Sequence, residues 1–478
     1  MSAISTIDIT VLLVYLLGVT AWGAWLGRHQ KTGADYFLGN RELPAWAVCL
    51  SVVATETSTL TFLSIPGVAY LGNLGFLQLT LGYLVGRIVV AAFLLPGYYR
   101  GELATAYALL ERRFGTGTRR FTSGIFMVTR LLADSVRLFA TAIPLALITG
   151  WPYAVSIAVI GVLTVVYTYF GGIRAVVWVD ALQMGLYLVG AACAIFVLQL
   201  VIPGGWGGAL ESAAAAGKLE LFNFSTDPAV AYTFWAGLLG GGFLSMASHG
   251  TDQLIVQRLL TCRDLSASRK ALVGSGFVVV VQFAIFLVLG IGLWAFYEGR
   301  PFELADAIFA TFIIEELPVG VVGLLIAGVF AAAMSSLSSS INSLASASAY
   351  DFWAPLAGVK DDDFRTLKAG RVFSLVWAIL LIGTAILYIP MSADSTAVEV
   401  ALTIASLVYG GLLGAFALAL FDTRAHQKGV ILGIALGILT VTSIWIFGGG
   451  VLGWPWFVFV GTFVTMGTGA LASRLLRA

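Results

Sequence analysis

Runs of about twenty apolar residues follow one another from residue 6 to residue 473 and leave short gaps between them. A helix needs roughly 20 such residues to cross the hydrocarbon core of a bilayer. The runs lie near 6–27, 44–71, 74–99, 121–149, 152–170, 175–201, 229–257, 273–297, 320–348, 371–389, 396–421, 429–447 and 452–473, which predicts thirteen transmembrane helices. Only 11% of the residues are charged, against roughly 25% in a soluble domain, so an all-α integral membrane protein is expected. The first run has no basic stretch before it and is too long for the core of a signal peptide, so it reads as a retained helix. Cys49, Cys193 and Cys262 are too far apart for metal-ligand spacing, and no disulfide framework is indicated. No nucleophile–base set stands out, so an enzyme is not expected. The net charge of +1 points to no nucleic-acid partner, and no protein partner is inferable; the partner the chain requires is the lipid bilayer.

The basic residues orient the helices, because cytoplasmic loops are enriched in Lys and Arg. The loops after runs 1, 3, 5, 7, 9 and 11, with the C-terminal tail, hold 21 of the 26; the opposite loops hold Lys218 and Arg300; Arg87, Arg130 and Arg137 fall inside runs. The expectation is a multi-pass protein of the inner (plasma) membrane, N-terminus outside and C-terminus cytoplasmic.

Two runs are interrupted. ATETSTLT (Ala54–Thr61) places polar residues in the middle of the second run, and GLLGGGFLSMASHGTDQ (Gly237–Gln253) does so in the seventh. Irregular backbone at membrane depth is tolerated where it lines a cavity or is buried in protein. Interrupted helices at matching places in two halves mark an inverted-repeat transporter with its site near the midplane. The repeats would be 44–201 and 229–421, with 6–27 as an extra N-terminal helix and 429–473 as two C-terminal ones. A third feature is FAAAMSSLSSSINSLASAS, with eight serines between Phe330 and Ser348. Serines in membrane helices often only permit close packing, but their hydroxyls are also ligands for a hard cation.

Several stretches resemble the sodium:solute symporter family: DYFLGNRELPAWA (Asp35–Ala47), TAYALLERRFG (Thr105–Gly115), YFGGIRAVVWVDALQ (Tyr169–Gln183), GTDQLIVQR (Gly250–Arg258), AAAMSSLSSSINS (Ala331–Ser343) and SLVYGGLLGAF (Ser406–Phe416). They occur in family order and span about residues 6–421. The resemblance implies the five-plus-five inverted repeat of the leucine transporter type. It also implies Na+-coupled symport of a small-molecule solute by alternating access. It places the main sodium site at the carbonyls of Ala54, Thr57 and Ala332 and the hydroxyls of Ser335 and Ser336. A second sodium would use Asp180 with Ser338 and Ser339; the alternative for Asp180 is a helix cap or an ion pair, for instance with Arg174.

The solute would sit near the two interruptions. Candidate contacts are Glu56, Thr59 and Thr61; Ser245, Ser248 and His249; and Thr403, Ser406 and Tyr409. Thr61 stands where sugar-type members have Gln, and Ser248 where they have a gating Tyr, which argues against a plain hexose. Glu56 either meets the solute or pairs with Arg87, since a deep carboxylate needs a partner to stay ionised. Arg130, Asp134 and Arg137 follow i, i+4, i+7 spacing and share a helix face. Asp134 is expected to neutralise one arginine, leaving Arg137 to bind a carboxylate in bidentate fashion. The solute would then be an anion such as a sugar acid or carboxylate, with a sugar or a proline-like amino acid as the alternative. Asp252, Gln253, Gln257 and Arg258 read as gating or structural groups. A proton-coupled transporter, a transport-like sensor and a channel are the other readings the pattern leaves open.

Overall fold

Polar interruptions and glycines decide where the apolar runs stop being helical. The computed structural model describes residues 5–28, 30–100, 103–302, 305–359, 363–388 and 397–476. Among them it contains helices and one isolated bridge, between Leu43 and Cys262. The first half runs α1 (Thr6–Leu26), α2 (Gly33–Leu38), α3 (Ala45–Glu56), α4 (Thr59–Leu71), α5 (Leu77–Val89), α6 (Leu95–Tyr99), α7 (Ala108–Phe114), α8 (Thr116–Thr149), α9 (Tyr153–Val201) and α10 (Gly205–Ala215). The second half runs α11 (Gly242–Gly250), α12 (Gln253–Leu259), α13 (Leu265–Phe296), α14 (Ala305–Glu315), α15 (Val321–Ala347) and α16 (Ala354–Ala357). It ends with α17 (Phe364–Tyr388), α18 (Ala397–Phe421), α19 (Gln427–Phe447) and α20 (Trp456–Leu475).

Among the described residues, nine helical stretches are long and apolar enough to cross a bilayer, or ten when the bent pair α3–α4 counts as one. One of the nine, α9, has 49 residues. At 1.5 Å per residue it is roughly 74 Å long, more than twice the hydrocarbon thickness. Gly172, at φ 53° and ψ −157°, kinks it between the two runs expected at 152–170 and 175–201; φ in that range is open to glycine and strained for other residues. The expected runs at 121–149 and 229–257 coincide with α8 and with α11–α12, which are not among those nine stretches. Those two criteria therefore do not fix the number at thirteen. The run boundaries at residues 389 and 396 lie outside the described residues.

The helices sort by enclosure. The stretch containing α15 is 83% buried, whereas those of α1 and α17 are 22% and 28% buried, so α15 is central and the others peripheral. Leu13, Val14 and Leu17 on α1, and Val372, Ile379 and Leu387 on α17, remain exposed and form a lipid-facing surface. The serine run is thereby interior: Ser335, Ser338, Ser339, Ser340, Ser343 and Ser346 are all buried. Small residues let α5 approach the seventh run backbone to backbone. A Cβ on Gly82 would come within 2.1 Å of the Gly237 carbonyl oxygen, and one on Gly86 within 2.4 Å of that of Gly242. This contact sets Arg87, the next residue on α5, against α11.

Candidate functional site

The first interruption is a true helix break. Glu56 ends α3, Thr57 is extended at φ −84° and ψ 96°, and α4 restarts at Thr59 with a bend of 60°. A run of Thr, Glu and Ser offers the backbone local hydrogen bonds that compete with the helix. The final carbonyls of a helix have no intrahelical donor, and Ala54 and Thr57 lie in and just beyond the last turn of α3. The side chains around them are occupied. Thr57 Oγ1 donates to Gln282 Oε1 at 3.1 Å and accepts from its Nε2 at 2.7 Å. Thr59 Oγ1 donates to the Val329 carbonyl at 3.1 Å, and Thr55 Oγ1 lies 3.2 Å from Ser339 Oγ. These bonds lay the break between α13 and α15.

Ala332, Ser335 and Ser336 lie on α15, and Ala54, Thr57, Ala332 and Ser335 are all buried. The serine hydroxyls then divide. Ser335 Oγ donates to Asp180 Oδ1 at 2.8 Å, while Ser338 and Ser339 donate back to the Ser335 carbonyl at 3.0 and 2.6 Å. Ser336 Oγ is buried and has no partner among the described residues. A buried hydroxyl left unpaired costs about 1–3 kcal/mol, and a cation is one group that would satisfy it.

Asp180, on α9, is fully buried. Besides Ser335 it accepts from Ser51 Oγ at 2.6 Å and from Arg258 Nη2 at 3.2 Å. Its ionic partner is thus Arg258 on α12; Arg174 pairs instead with Glu42 at 3.2 Å. Sequence reasoning did not single out Ser51, although it lies three residues before Ala54 on the same helix. Arg258 was read as a gating or structural group with no partner, because its acid is 78 positions away.

The second interruption falls at Thr251–Asp252, inside the expected stretch. Asp252 caps α12, its Oδ1 accepting from Leu254 N at 2.9 Å. Its other carboxylate oxygen accepts from Tyr409 Oη at 2.7 Å and forms a short ion pair with Arg130. Arg130 also meets Tyr409 Oη and lies 3.4 Å from Asp134. Asp134 in turn receives Ser340 Oγ at 2.5 Å and lies 3.3 Å from Arg137 Nη1. Two acids therefore serve two arginines, where the sequence showed one acid on the face of α8. The division is uneven: Arg130 has two carboxylates and a phenol, whereas Arg137 has only a shared edge of Asp134 among the described residues and keeps 18% of its side chain exposed.

Glu56 meets Arg87, which is fully buried, in a short ion pair; its own side chain is 18% exposed. Arg87 Nη2 also lies 3.0 Å from His249 Nε2. An arginine only donates, so Nε2 accepts, and the ring proton sits on Nδ1, 2.8 Å from Ser248 Oγ. That tautomer keeps His249 a neutral fixture and turns the Ser248 hydroxyl proton away from it. Ser245 Oγ is already engaged, donating to the Tyr83 carbonyl at 2.8 Å. Thr61 and Thr403 are half-buried, and Ser406 Oγ is buried with no partner among the described residues.

Comparison with known proteins adds four findings. The model of the sodium:solute symporter family matches residues 36–437. The sodium/sialic acid symporter NanT of Aliivibrio fischeri is 30% identical over 490 residues, covering 99% of this chain and 94% of that one. A Na+-coupled sialic acid symporter, solved substrate-bound and outward-open with a novel Na+ site, superposes with a TM-score of 0.89 at 27% identity, covering 99% of this chain and 98% of the other. Mhp1, a nucleobase-cation-symport-1 family transporter, shares the fold at a TM-score of 0.58 and 12% identity, covering 93% of this chain and 95% of the other.

Proposed function

Because this chain belongs to the sodium:solute symporter family, we propose that the solute it carries with sodium is an anionic sugar acid, with Arg137 receiving the carboxylate. The observation that carries this reading is the uneven sharing of Asp134: a half-paired, partly exposed guanidinium is a ready donor to a planar anion. The names of the similar symporters agree in kind, since sialic acid is a sugar acid. Glu56 closed onto Arg87 offers little to a cationic group, which weighs against a proline-like substrate. Thr59, Thr61, Ser248, Thr403 and Ser406 would meet the neutral part of the solute, with Ser245 and His249 holding the wall.

The main sodium would be held by the carbonyls of Ala54, Thr57 and Ala332 with the hydroxyls of Ser335 and Ser336. Asp180 orients Ser335: it takes the hydroxyl proton and leaves the oxygen lone pairs for the cation. A second sodium would draw on Asp180, Ser338 and Ser339. Stoichiometry matters because a monovalent anion with one sodium moves no net charge. A second ion adds about 2.3 kcal/mol per 100 mV, or roughly fifty-fold in accumulation. The repeats 44–201 and 229–421 would rock around this centre, with the N-terminus outside and the C-terminus cytoplasmic in the plasma membrane.

The test is a thermal-shift screen of sugar acids, neutral sugars, small carboxylates and amino acids in sodium or in potassium. Sugar acids should stabilise the protein in sodium alone. Ser336→Ala, which strands no partner because Ser336 Oγ has none among the described residues, should weaken apparent sodium affinity at least tenfold, the scale of one charge-assisted contact. Equal stabilisation by a sugar acid in potassium, or unchanged sodium affinity in Ser336→Ala, would sink the assignment.

A further inference from the structure

We infer that Arg258 is a tethered cation that shares the Asp180 cage with the second sodium, so that guanidinium and ion hold this carboxylate in turn. The inference rests on the proposed reading of Asp180 and Ser339 as ligands of that ion.

Both charges are fully buried, and Arg258 spends two of its three nitrogens on this cage. Its Nε donates to Ser51 Oγ at 3.0 Å, its Nη1 to the Leu254 carbonyl at 2.6 Å, and its Nη2 to Asp180 Oδ2 at 3.2 Å and, by a short contact, to Ser339 Oγ. Asp180 already accepts three donors, from Ser51, Ser335 and Arg258. Ser339 Oγ gives its proton to the Ser335 carbonyl and receives Arg258 on its lone pairs. Two of the three expected ligands therefore present their lone pairs to the guanidinium, in the direction a cation would need. Adding sodium without moving Arg258 would set two positive charges against one carboxylate in a fully buried site, where like charges repel strongly. The ion enters when the guanidinium leaves.

The leaving group is tied to a helix. Arg258 is on α12, the inner half of the second broken helix, and its Nη1 is held by a carbonyl of that same helix, so guanidinium and helix move together. Its partners on other helices sit on α3 (Ser51), α9 (Asp180) and α15 (Ser339). Arg258 thus bolts α12 to three other helices, and sodium at Asp180 releases the bolt. One carboxylate links ion occupancy to the freedom of α12.

Sodium titrations of the purified full chain, read as thermal shift without substrate and with potassium balancing the salt, test this. Arg258→Gln should lower the sodium midpoint roughly tenfold, within the 5–150-fold span of typical site–site coupling, and steepen the titration toward two ions. Adding Asp180→Asn should abolish that gain. A purely structural arginine would give a less stable protein with no gain in sodium affinity. If the Arg258→Gln protein does not fold, Arg258→Lys, which keeps the charge but reaches fewer partners, should shift the midpoint the same way by a smaller factor. An unmoved or higher midpoint in both variants overturns the tether. In that case a flatter titration in Asp180→Asn alone would leave the second-ion reading standing, whereas no change there would remove that reading as well.

Discussion

Arg130 and Arg137 lie two helical turns apart on one face of α8, yet replacing each by Gln should do opposite things. Removing Arg137 leaves Asp134 supported by Arg130 at 3.4 Å and by Ser340 Oγ at 2.5 Å, so no buried charge is stranded. With its side chain 18% exposed and no charge stranded, the folded state should lose no more than about 1.5 kcal/mol, the net contribution of an ordinary hydrogen bond. If Arg137 holds the substrate carboxylate, the loss falls on binding. One charge-assisted hydrogen-bonded contact is worth about 1.5–3 kcal/mol, or roughly ten- to hundredfold in KM for an anionic sugar acid. Arg130→Gln leaves Asp252 without its cation, held only by the Tyr409 hydroxyl and the Leu254 N–H among the described residues, and breaking one partner of a buried pair costs about 3–5 kcal/mol. Sodium-driven uptake into proteoliposomes gives KM, and thermal melting of the same preparations gives stability. Arg137→Gln should fold normally and bind weakly; Arg130→Gln should melt early. An Arg137→Gln transporter with unchanged KM would refute the assignment of the carboxylate to this residue.

Two further outcomes follow from ion pairs elsewhere. Glu56→Gln leaves the fully buried Arg87 with only His249 among the described residues and should cost about 3–5 kcal/mol; the double variant Glu56→Gln, Arg87→Met should recover most of it in a melting measurement, and a double variant no more stable than the single would contradict the pairing. In the first turn of α2, burial opposes ionisation of Asp35, but the N–H groups of Lys31 and Thr32 at 2.9 and 3.0 Å outweigh it and hold the carboxyl below its usual value. A lowered folded value means stability that is fully present above about pH 4, the unfolded value, and lost as pH falls through the lower folded one. Melting of Asp35→Asn against pH should lack this acid-side loss; parallel curves for the two proteins would argue against it.

What the sequence discloses about this protein is what lies along one chain. The interruptions at Ala54–Thr61 and Gly237–Gln253 were legible because polar residues in an apolar run have few other uses, and the breaks fall inside both, at Thr57 and at Thr251–Asp252. The shared face of Arg130, Asp134 and Arg137 follows from helical spacing, and Glu56 with Arg87 from the need of a buried acid for a base. Hidden were pairings set by packing between distant helices. Asp252 reaches Arg130 across 122 positions, and Arg258 reaches Asp180 across 78. Neither spacing has a period, so no pattern in the chain could select Arg258 over Arg174 as the partner of Asp180. The close approach of α5 to α11 was likewise invisible, because a glycine shows where a backbone can come near and not which one does.

Three of the buried ion clusters share a placement that has a physical cause. Glu56 stands one residue before the first break, Asp252 is at the second, and Arg258 follows it by six residues. A charge in a bilayer is expensive wherever it has only lipid and closed helix around it. Beside a break, free backbone groups and polar neighbours already exist, so the added charge is partly solvated by the protein. The same open backbone supplies the carbonyls a sodium ion needs and the hinge that alternating access needs. Each cluster also crosses between helices: Glu56–Arg87 joins α3 to α5, Arg130–Asp252–Tyr409 joins α8 and α18 to α12, and Asp180–Arg258 joins α9 to α12. An ion or a carboxylate arriving at a break therefore meets charges that already hold helices together. Binding and helix release compete for the same few atoms, and that competition is how an ion gradient could be converted into movement here.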